Sequence, residues 1–188
     1  LDQALPSITE GVVIDGWSQA GWVDKPLIEL DGGSIVGSAD GLRLISGNSV
    51  VRGLIINAFD GDGIYVDTGA TAVIQGNYIG TDATGLVARG NDDHGINLNG
   101  STGTTVGGLA VEAGNIIAYN GDSNEKGVRI GAGTGHQIIG NTIHSNAGDG
   151  VGILAGTGHT VQRNAIYANG ERGIDIYNDG VTPNDALD

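Results

Sequence analysis

Short apolar alternations recur along most of the chain, and each is opened by a glycine. An apolar residue, a variable residue and a second apolar residue directly follow each of six marker glycines: Gly41, Gly63, Gly95, Gly127, Gly150 and Gly173. Alternation with a period of two is typical of a β-strand that buries one face. The pattern predicts a strand after each marker glycine, here called a marker strand, at intervals of 22, 32, 32, 23 and 23 residues.

Two further sets of apolar positions recur with the same spacing. One set consists of Val51, Ile74, Ile138 and Val161, and the other of Ile56, Ile79, Ile117, Ile143 and Ile166. Three short strands per repeat, with no helical periodicity, predict an all-β fold: a single-stranded right-handed parallel β-helix. This solenoid would have about seven coils and three short parallel sheets, because stacked coils bury the apolar face that one coil alone exposes.

Asparagine recurs at two corners of the predicted coils. The first column comprises Asn77, Asn115, Asn141 and Asn164, and a second column, five residues later, comprises Asp82, Asn120, Asn146 and Asn169. Asparagine tolerates a left-handed backbone and stacks its amides along a solenoid axis. We therefore expect the repeated asparagines and glycines to build the solenoid, so that any function resides at the variable positions.

A single domain over residues 1–188 fits the repeat and has three parts. Residues 1–40 form an entry coil and N-terminal cap, residues 41–176 the regular coils, and residues 177–188 a C-terminal tail. We expect Trp17 and Trp22, in the irregular entry coil, to pack over the open end of the core. The two 32-residue repeats carry insertions within 80–94, 107–114 and 118–126, and insertions in a solenoid often form its binding face.

Composition and charge narrow the functional classes. The chain has 36 glycines, no cysteine, no methionine and a net charge of −14. This charge argues against nucleic acid and against anionic membranes as partners, and no apolar run is long enough for membrane insertion. An acidic, glycine-rich, thiol-free chain suits the extracellular space. The absence of a starting methionine suggests a piece of a longer multidomain protein.

Several segments resemble one kind of known protein. The stretches NYIGTDATG, VIDGWSQAG with PLIELDG, and GIDIYNDGVTPND look like the right-handed β-helix repeat domains of large bacterial secreted and cell-surface proteins, which are similar to the pectate-lyase-like superfold. The resemblance covers nearly the whole chain. It implies the β-helix fold and an extracellular or cell-surface location, whereas the fold alone implies no activity.

The outward positions of the marker strands predict a polar surface, here called the marker-strand face. One column holds Arg43, Tyr65, Asn97, Arg129, Gly152 and Asp175, and a second column, directly before the marker glycines, holds Asp40, Asp62, His94, Lys126, Asp149 and Arg172. One interpretation is a solvated ladder of charges that alternate in sign. The other is a polysaccharide site formed by Arg43, Tyr65, Asn97, Arg129 and Asp175, in which Tyr65 stacks on a sugar and the arginines bind uronate carboxylates.

The segment NDDHG at 91–95 is the densest acid–base cluster. Asp60, Asp62, Asp92 and Asp93 offer the oxygen ligands that Ca²⁺ prefers, so calcium is the one cofactor that these residues suggest, although binding requires none. An enzyme would use Asp62, Asp93, His94 and Lys126. It would be a calcium-assisted uronate lyase, with Lys126 or Arg129 as the base, or a glycoside hydrolase with two carboxylates.

No catalytic set in the sequence is complete, whereas every strong regularity is structural. We therefore predict a non-catalytic β-helix module of an extracellular bacterial protein that binds a polysaccharide or cell-surface glycan, or acts as a surface or spacer element. The alternative is a small polysaccharide-degrading enzyme. A binding module requires an exposed aromatic ring on the marker-strand face, and an enzyme requires an acid or base with a shifted pKa in a walled cleft.

Overall fold

The chain forms a stack of three-stranded coils, and the computed structural model describes residues 1–176. The first three coils consist of β1 (Val13–Asp15), β2 (Ile28–Asp31) and β3 (Leu42–Leu44); β4 (Gly47–Arg52), β5 (Leu54–Asn57) and β6 (Ile64–Asp67); and β7 (Ala70–Gln75), β8 (Tyr78–Ile79) and β9 (Ile96–Thr102). The next three consist of β10 (Thr105–Gly107), β11 (Ile116–Ala118) and β12 (Val128–Thr134); β13 (Gln137–Ile139), β14 (Thr142–His144) and β15 (Val151–Ile153); and β16 (Thr160–Gln162), β17 (Ala165–Tyr167) and β18 (Ile174–Ile176). Two short 3-10 turns, Gly16–Ser18 and Val111–Ala113, lie between strands.

Equivalent strands of successive coils pair into three parallel sheets of six. Sheet I contains the first strand of each coil, from β1 to β16, sheet II the second, from β2 to β17, and sheet III the third, from β3 to β18. Sheet III consists of the predicted marker strands. The predicted right-handed parallel β-helix is therefore confirmed, with six complete coils in the described part of the chain where the repeat suggested about seven. Within residues 1–176, no helix has the length and apolarity needed to cross a bilayer.

The core lies between the three sheets and is built from the predicted apolar columns. In sheet I, Val51 pairs with Ile74, and in sheet II, Ile117 pairs with both Ile79 and Ile143. Val106 occupies the sheet I position between Ile74 and Ile138 and completes that column. These side chains are fully buried, which is the arrangement that apolar burial favours.

The first asparagine column stacks as predicted. The Nδ2 of each residue donates to the Oδ1 of the next, at 3.0 Å from Asn77 to Asn115, 2.8 Å from Asn115 to Asn141 and 3.0 Å from Asn141 to Asn164. The backbone N–H of each also donates to the next Oδ1. Each carboxamide therefore satisfies polar backbone and side-chain groups that the corner would otherwise bury without partners.

The second column contains a residue that the sequence spacing missed. Asn91, and not Asp82, donates its Nδ2 to Asn120 Oδ1 at 2.9 Å, and its Oδ1 accepts from the backbone N–H of Phe59 at 3.2 Å. The prediction of Asp82 in this column is wrong because a carboxylate has no N–H to pass along the ladder. Asp82 instead accepts from the backbone N–H groups of its own loop, Thr84 at 3.1 Å among them.

The left-handed corner residues are also not the asparagines. Ala58, Tyr119, Ser145 and Ala168 have positive φ, between 54° and 62°, and each directly precedes a member of the second column or its equivalent Phe59. None of the non-glycine residues with positive φ in the described chain is an asparagine. At this corner one residue reverses the chain, and the following asparagine forms hydrogen bonds with the exposed backbone groups.

The marker glycines have ordinary φ values, and five of the six, all but Gly173, leave no space for a Cβ. A Cβ added at Gly127 would lie 2.6 Å from Ile143 Cγ2, 2.7 Å from Asn146 Nδ2 and 2.8 Å from the carbonyl oxygen of Gly150. The marker glycine therefore lets the start of sheet III pack directly against sheet II and the asparagine column.

The entry coil forms strands in sheets I and II, and Ile8 bridges to Leu44 of sheet III. Its Ile14 and Leu30 pack against the buried core. Trp17 does not cover the open end of the core, contrary to our expectation. It lies outside the corner between sheets I and II, where a Cβ at Gly53 would be 2.5 Å from its Cδ1.

Candidate functional site

The marker-strand face has the residue register that the sequence predicts. Arg43 pairs with Tyr65, Tyr65 with Asn97, and Asn97 with Arg129 in sheet III. The column continues through Gly152 to Asp175. Asn97 and Asp175 are buried, whereas 41% of the Arg43 side chain is exposed. The face is therefore continuous along sheet III but unevenly accessible.

The column before the marker glycines binds backbone N–H groups of the following coil. Side-chain acceptors make four contacts of this kind: Asp40 Oδ1 with the N–H of Asp62 at 3.0 Å, Asp62 Oδ1 with that of His94 at 3.0 Å, His94 Nδ1 with that of Lys126 at 2.8 Å, and Asp149 Oδ1 with that of Arg172 at 3.0 Å. Here we call this set the acceptor column. It links successive coils outside the strand ladders, so these residues have a structural task that the sequence analysis did not assign.

Asp62 has the strongly shifted pKa that an enzyme would require of its acid. Both of its carboxyl oxygens, however, already accept hydrogen bonds within the protein. Burial is the main cause that raises the pKa of Asp62 to about 7, against the lowering effect of a hydrogen bond from Asn97. Its Oδ2 accepts from Asn97 Nδ2 at 2.9 Å, and its Oδ1 accepts from the backbone of His94. Only 4% of Asp62 is exposed, so the carboxyl group is enclosed by the protein.

His94 is held in its neutral form. Burial, followed by the positive charges of Arg129 and Lys126, lowers the pKa of His94 to about 4. Because Nδ1 accepts from the backbone of Lys126, a neutral ring carries its proton on Nε2.

Lys126 is buried and fixes the insertion that precedes it. Its Nζ donates to the backbone oxygen of Asn124 at 3.0 Å and to Asn124 Oδ1 at 3.1 Å, and lies 3.4 Å from Asp149 Oδ2. The nearby Glu125 accepts three backbone N–H groups from residues 122–124. The pKa of Glu125 is about 2, because those hydrogen bonds outweigh partial burial. The amine of Lys126, one of the two predicted bases, therefore contacts other groups of the protein.

Among the residues predicted to bind a polysaccharide, Arg43 contacts Tyr65 and Arg129 contacts Asn97. The guanidinium of Arg43 lies 4.0 Å from the centre of the Tyr65 ring and pairs with Asp40 at 3.0 Å, so one face of the predicted stacking ring is covered. Tyr65 also contacts Asn99 through its hydroxyl group, at 2.5 Å. Arg129 donates to Asn97 Oδ1 at 3.0 Å and forms no ion pair with any carboxylate of residues 1–176.

The four carboxylates predicted to hold calcium do not form a metal cluster. In the part of the chain that the structure describes, no three His, Asp or Glu side chains come together as a metal site. Asp60, Asp92 and Asp93 are exposed, whereas Asp62 is buried in the acceptor column. Burial, and then the negative charges of Glu125 and Asp40, raise the pKa of Asp93. These carboxylates therefore repel one another, but within the described residues they are not arranged to bind a metal ion.

Asp40, Asp149 and Asn99 were not among the residues predicted to bind a ligand or to catalyse a reaction, although Asp40 and Asp149 were placed in the column before the marker glycines. The signal for the first two was the recurrence of an acceptor side chain directly before the marker glycine. Asn99 carried no such signal, because it lies in the part of β9 where the sheet III register shifts.

Residues 31–185 match the model of a protein family described as periplasmic copper-binding protein (NosD). No curated protein and no solved structure matches the chain.

The side chains present do not fit a copper centre. Copper sites in proteins draw on cysteine, methionine and histidine, and this chain has no cysteine, no methionine and four histidines. His94 uses Nδ1 as an acceptor, and His136 and His159 stack face to face with ring centres 5.0 Å apart. His144 stacks in the same way on Tyr167. The histidines in the described coils are thus ladder or acceptor residues.

Proposed function

The chain belongs to the NosD family of periplasmic β-helix proteins, and from this premise we propose that it is a non-catalytic module outside the cytoplasm that binds an acidic polysaccharide along the marker-strand face. The catalytic candidates support the non-catalytic part of the proposal. Asp62 and His94 bind backbone N–H groups of the next coil, and Lys126 binds Asn124. The case is strongest for Asp62, because a buried carboxyl group whose two oxygens both accept hydrogen bonds within the protein is poorly placed to transfer a proton to a substrate.

Arg129 is the observation that carries the binding part. The other three cations of the face, Arg43, Lys126 and Arg172, each have a carboxylate partner within 4 Å. Among residues 1–176, the side-chain partner of Arg129 is the neutral amide of Asn97. A guanidinium binds a carboxylate through two parallel hydrogen bonds, which is the geometry that a uronate sugar offers.

The distribution of charge supports the same ligand class. The chain has eight lysines and arginines against 22 acidic residues, and four of the eight lie on the marker-strand face. Arg43 and Tyr65, three and two coils from Arg129 respectively, present a guanidinium stacked on an aromatic ring at a partly exposed position. Such a pair offers a neighbouring sugar both a cation and an apolar ring edge.

Affinity electrophoresis tests this proposal. Wild type, Arg129→Gln and the control Arg163→Gln would be run through native gels that contain polygalacturonate, neutral xylan or no polymer. Both variants lose one positive charge, and Arg163 is exposed outside the marker-strand face, so their mobilities match in the empty gel. We expect polygalacturonate to retard wild type and the control, and Arg129→Gln to bind about tenfold more weakly, because it loses a charge-assisted hydrogen-bond pair.

Two results would contradict the proposal. Equal retardation of both variants would remove Arg129 from the site. Unchanged mobility of wild type in every gel would leave the spacer or surface role as the function of the module.

A further inference from the structure

A pocket lies outside the marker-strand face, at the corner between sheets I and II. Its walls come from the entry coil, from β8 and from the insertion before β11, and its main lining residues are Trp17, Trp22, Asp24, Tyr78, Val111 and Glu112. Its volume is about 160 Å³. Three distant parts of the sequence thus form one pocket, and two of them depart from the regular repeat.

Aromatic rings dominate one side of this corner pocket. The ring centres of Trp17 and Trp22 are 5.8 Å apart, with their planes inclined by 41°. Trp17 already receives the guanidinium of Arg52 at 4.7 Å from its ring centre, and Asp15 holds that guanidinium with hydrogen bonds of 2.9 and 2.7 Å. An indole ring has a negative face that attracts cations, so the pocket wall suits a positively charged group.

The charges of the pocket also favour a positively charged ligand. Asp24 and Glu112 both line it, and neither forms an ion pair with a cation in the described coils. Burial, and then the negative charge of Asp24, raise the pKa of Tyr78. Two carboxylates beside three aromatic rings therefore give the pocket a negative potential with apolar walls.

The size of the pocket limits what enters it. A volume of about 160 Å³ corresponds to roughly five water molecules in the liquid, well below the volume of roughly 300 Å³ or more that encloses a drug-sized ligand. A compact headgroup of a few heavy atoms fits better than a complete sugar ring. Val111, which lines the pocket, is 95% exposed, so the rim offers an apolar contact to a substituted cation.

We propose that the corner pocket binds a quaternary ammonium group, with the indoles of Trp17 and Trp22 against its methyl groups and the carboxylates of Asp24 and Glu112 supplying the opposite charge. A quaternary ammonium has no N–H donors, so aromatic faces and diffuse negative charge stabilise it without fixed hydrogen-bond acceptors. The site is independent of the marker-strand face and of the ligand proposed there.

Tryptophan fluorescence tests this inference directly, because the only two tryptophans of the chain line the pocket. Choline would be titrated into wild type, Asp24→Asn and the control Asp122→Asn, in which an exposed aspartate on another loop loses the same charge. The neutral carbon isostere 3,3-dimethylbutan-1-ol and Nα-acetyl-lysine amide, a primary ammonium, complete the series.

We expect choline to change the emission saturably, and both the neutral isostere and the primary ammonium to bind about tenfold more weakly. Asp24→Asn should weaken choline binding by a similar factor, and Asp122→Asn by less than about twofold. In Trp22→Ala, Trp17 remains as the reporter, and its response to choline should be largely lost. Circular dichroism would confirm that each variant keeps the β-helix.

Several outcomes would overturn the inference. These are a titration without saturation, equal binding of choline and its isostere, tighter binding of the lysine amide, or equal losses in Asp24→Asn and Asp122→Asn. A parallel arm with phosphatidylcholine vesicles separates the sources of the group. Sedimentation of wild type but not of Asp24→Asn with the vesicles would assign a lipid headgroup, and saturation by free choline without sedimentation would assign a solute.

Discussion

The side chain directly before four of the six marker glycines determines how two neighbouring coils are joined at the edge of sheet III. Aspartate and neutral histidine both fit, because each presents an acceptor to the backbone N–H of the next coil. The two types have opposite protonation behaviour. Burial disfavours the charged form of either group, so it raises the pKa of Asp62 and lowers that of His94.

This pair predicts opposing effects of pH on stability. The pKa of Asp62 rises from an ordinary 3.8 to about 7, so the folded state binds more protons than the unfolded state and stability falls as pH rises through that range. The pKa of His94 falls from an ordinary 6.5 to about 4, so its contribution is present above pH 6.5 and is lost as pH falls towards 4. Between about pH 4 and 6.5 the two effects cancel in wild type.

Asparagine substitutions separate the two contributions and keep an acceptor at each position. Relative to wild type, the free energy of unfolding of His94→Asn should fall with rising pH by up to about 1.4 kcal/mol per pH unit, and that of Asp62→Asn should rise by a similar amount. Urea denaturation at intervals from pH 4.5 to 6.5 measures both slopes. Parallel pH profiles for all three proteins would show that these groups titrate with ordinary pKa values.

At the scale of strands and corners, period-two alternation was sufficient to predict most of the pairing. Ile79, Ile117 and Ile143 were placed in one column from spacing alone, and they pair in that order. Counting residues failed inside the insertion, where it selected Asp82 and the ladder uses Asn91. The reason is chemical, since the ladder requires both an amide donor and an acceptor, whereas sequence spacing carries no information on how a loop returns to the coil.

The marker glycine offers a matched test at this scale. Gly127→Ala would place a methyl group within 2.8 Å of three neighbouring atoms. Within residues 1–176, the nearest atom to a Cβ at Gly173, in the same motif, would be Ile166 Cγ2 at 3.6 Å. We expect Gly127→Ala to lower the free energy of unfolding by about 1–3 kcal/mol, as overpacking does, and Gly173→Ala to change it by less than about 1 kcal/mol. Urea denaturation of the two variants measures the difference, and equal losses would mean that these glycines are not required for space.

For the whole molecule, the fold was accessible from sequence and the state of its polar side chains was not. The repeat placed Arg43, Tyr65, Asn97 and Arg129 side by side, which the sheet III register confirms. It did not indicate that Arg43 covers Tyr65 or that Arg129 lacks a carboxylate partner, because these contacts depend on rotamers and on neighbouring coils. Trp17 lies at a corner and not over the core, since its position depends on close approach to Gly53.

In this molecule the repeat forms a stack of coils, and the proposed ligands contact its variable sides. The acceptor column makes Asp62 and His94, two of the candidates for catalysis, part of the stack. Arg129 is the cation of that face without a carboxylate partner among the described residues. Binding without turnover is the central claim that follows.

Frontal affinity chromatography of a single-length oligogalacturonate on the immobilised protein tests that claim most directly, with the mass of the eluting sugar recorded throughout. If the protein binds the oligosaccharide without cleaving it, we expect the oligosaccharide to be retarded relative to a neutral xylan oligomer and to elute at its original mass. Elution without retardation, or elution as shorter fragments, would contradict it.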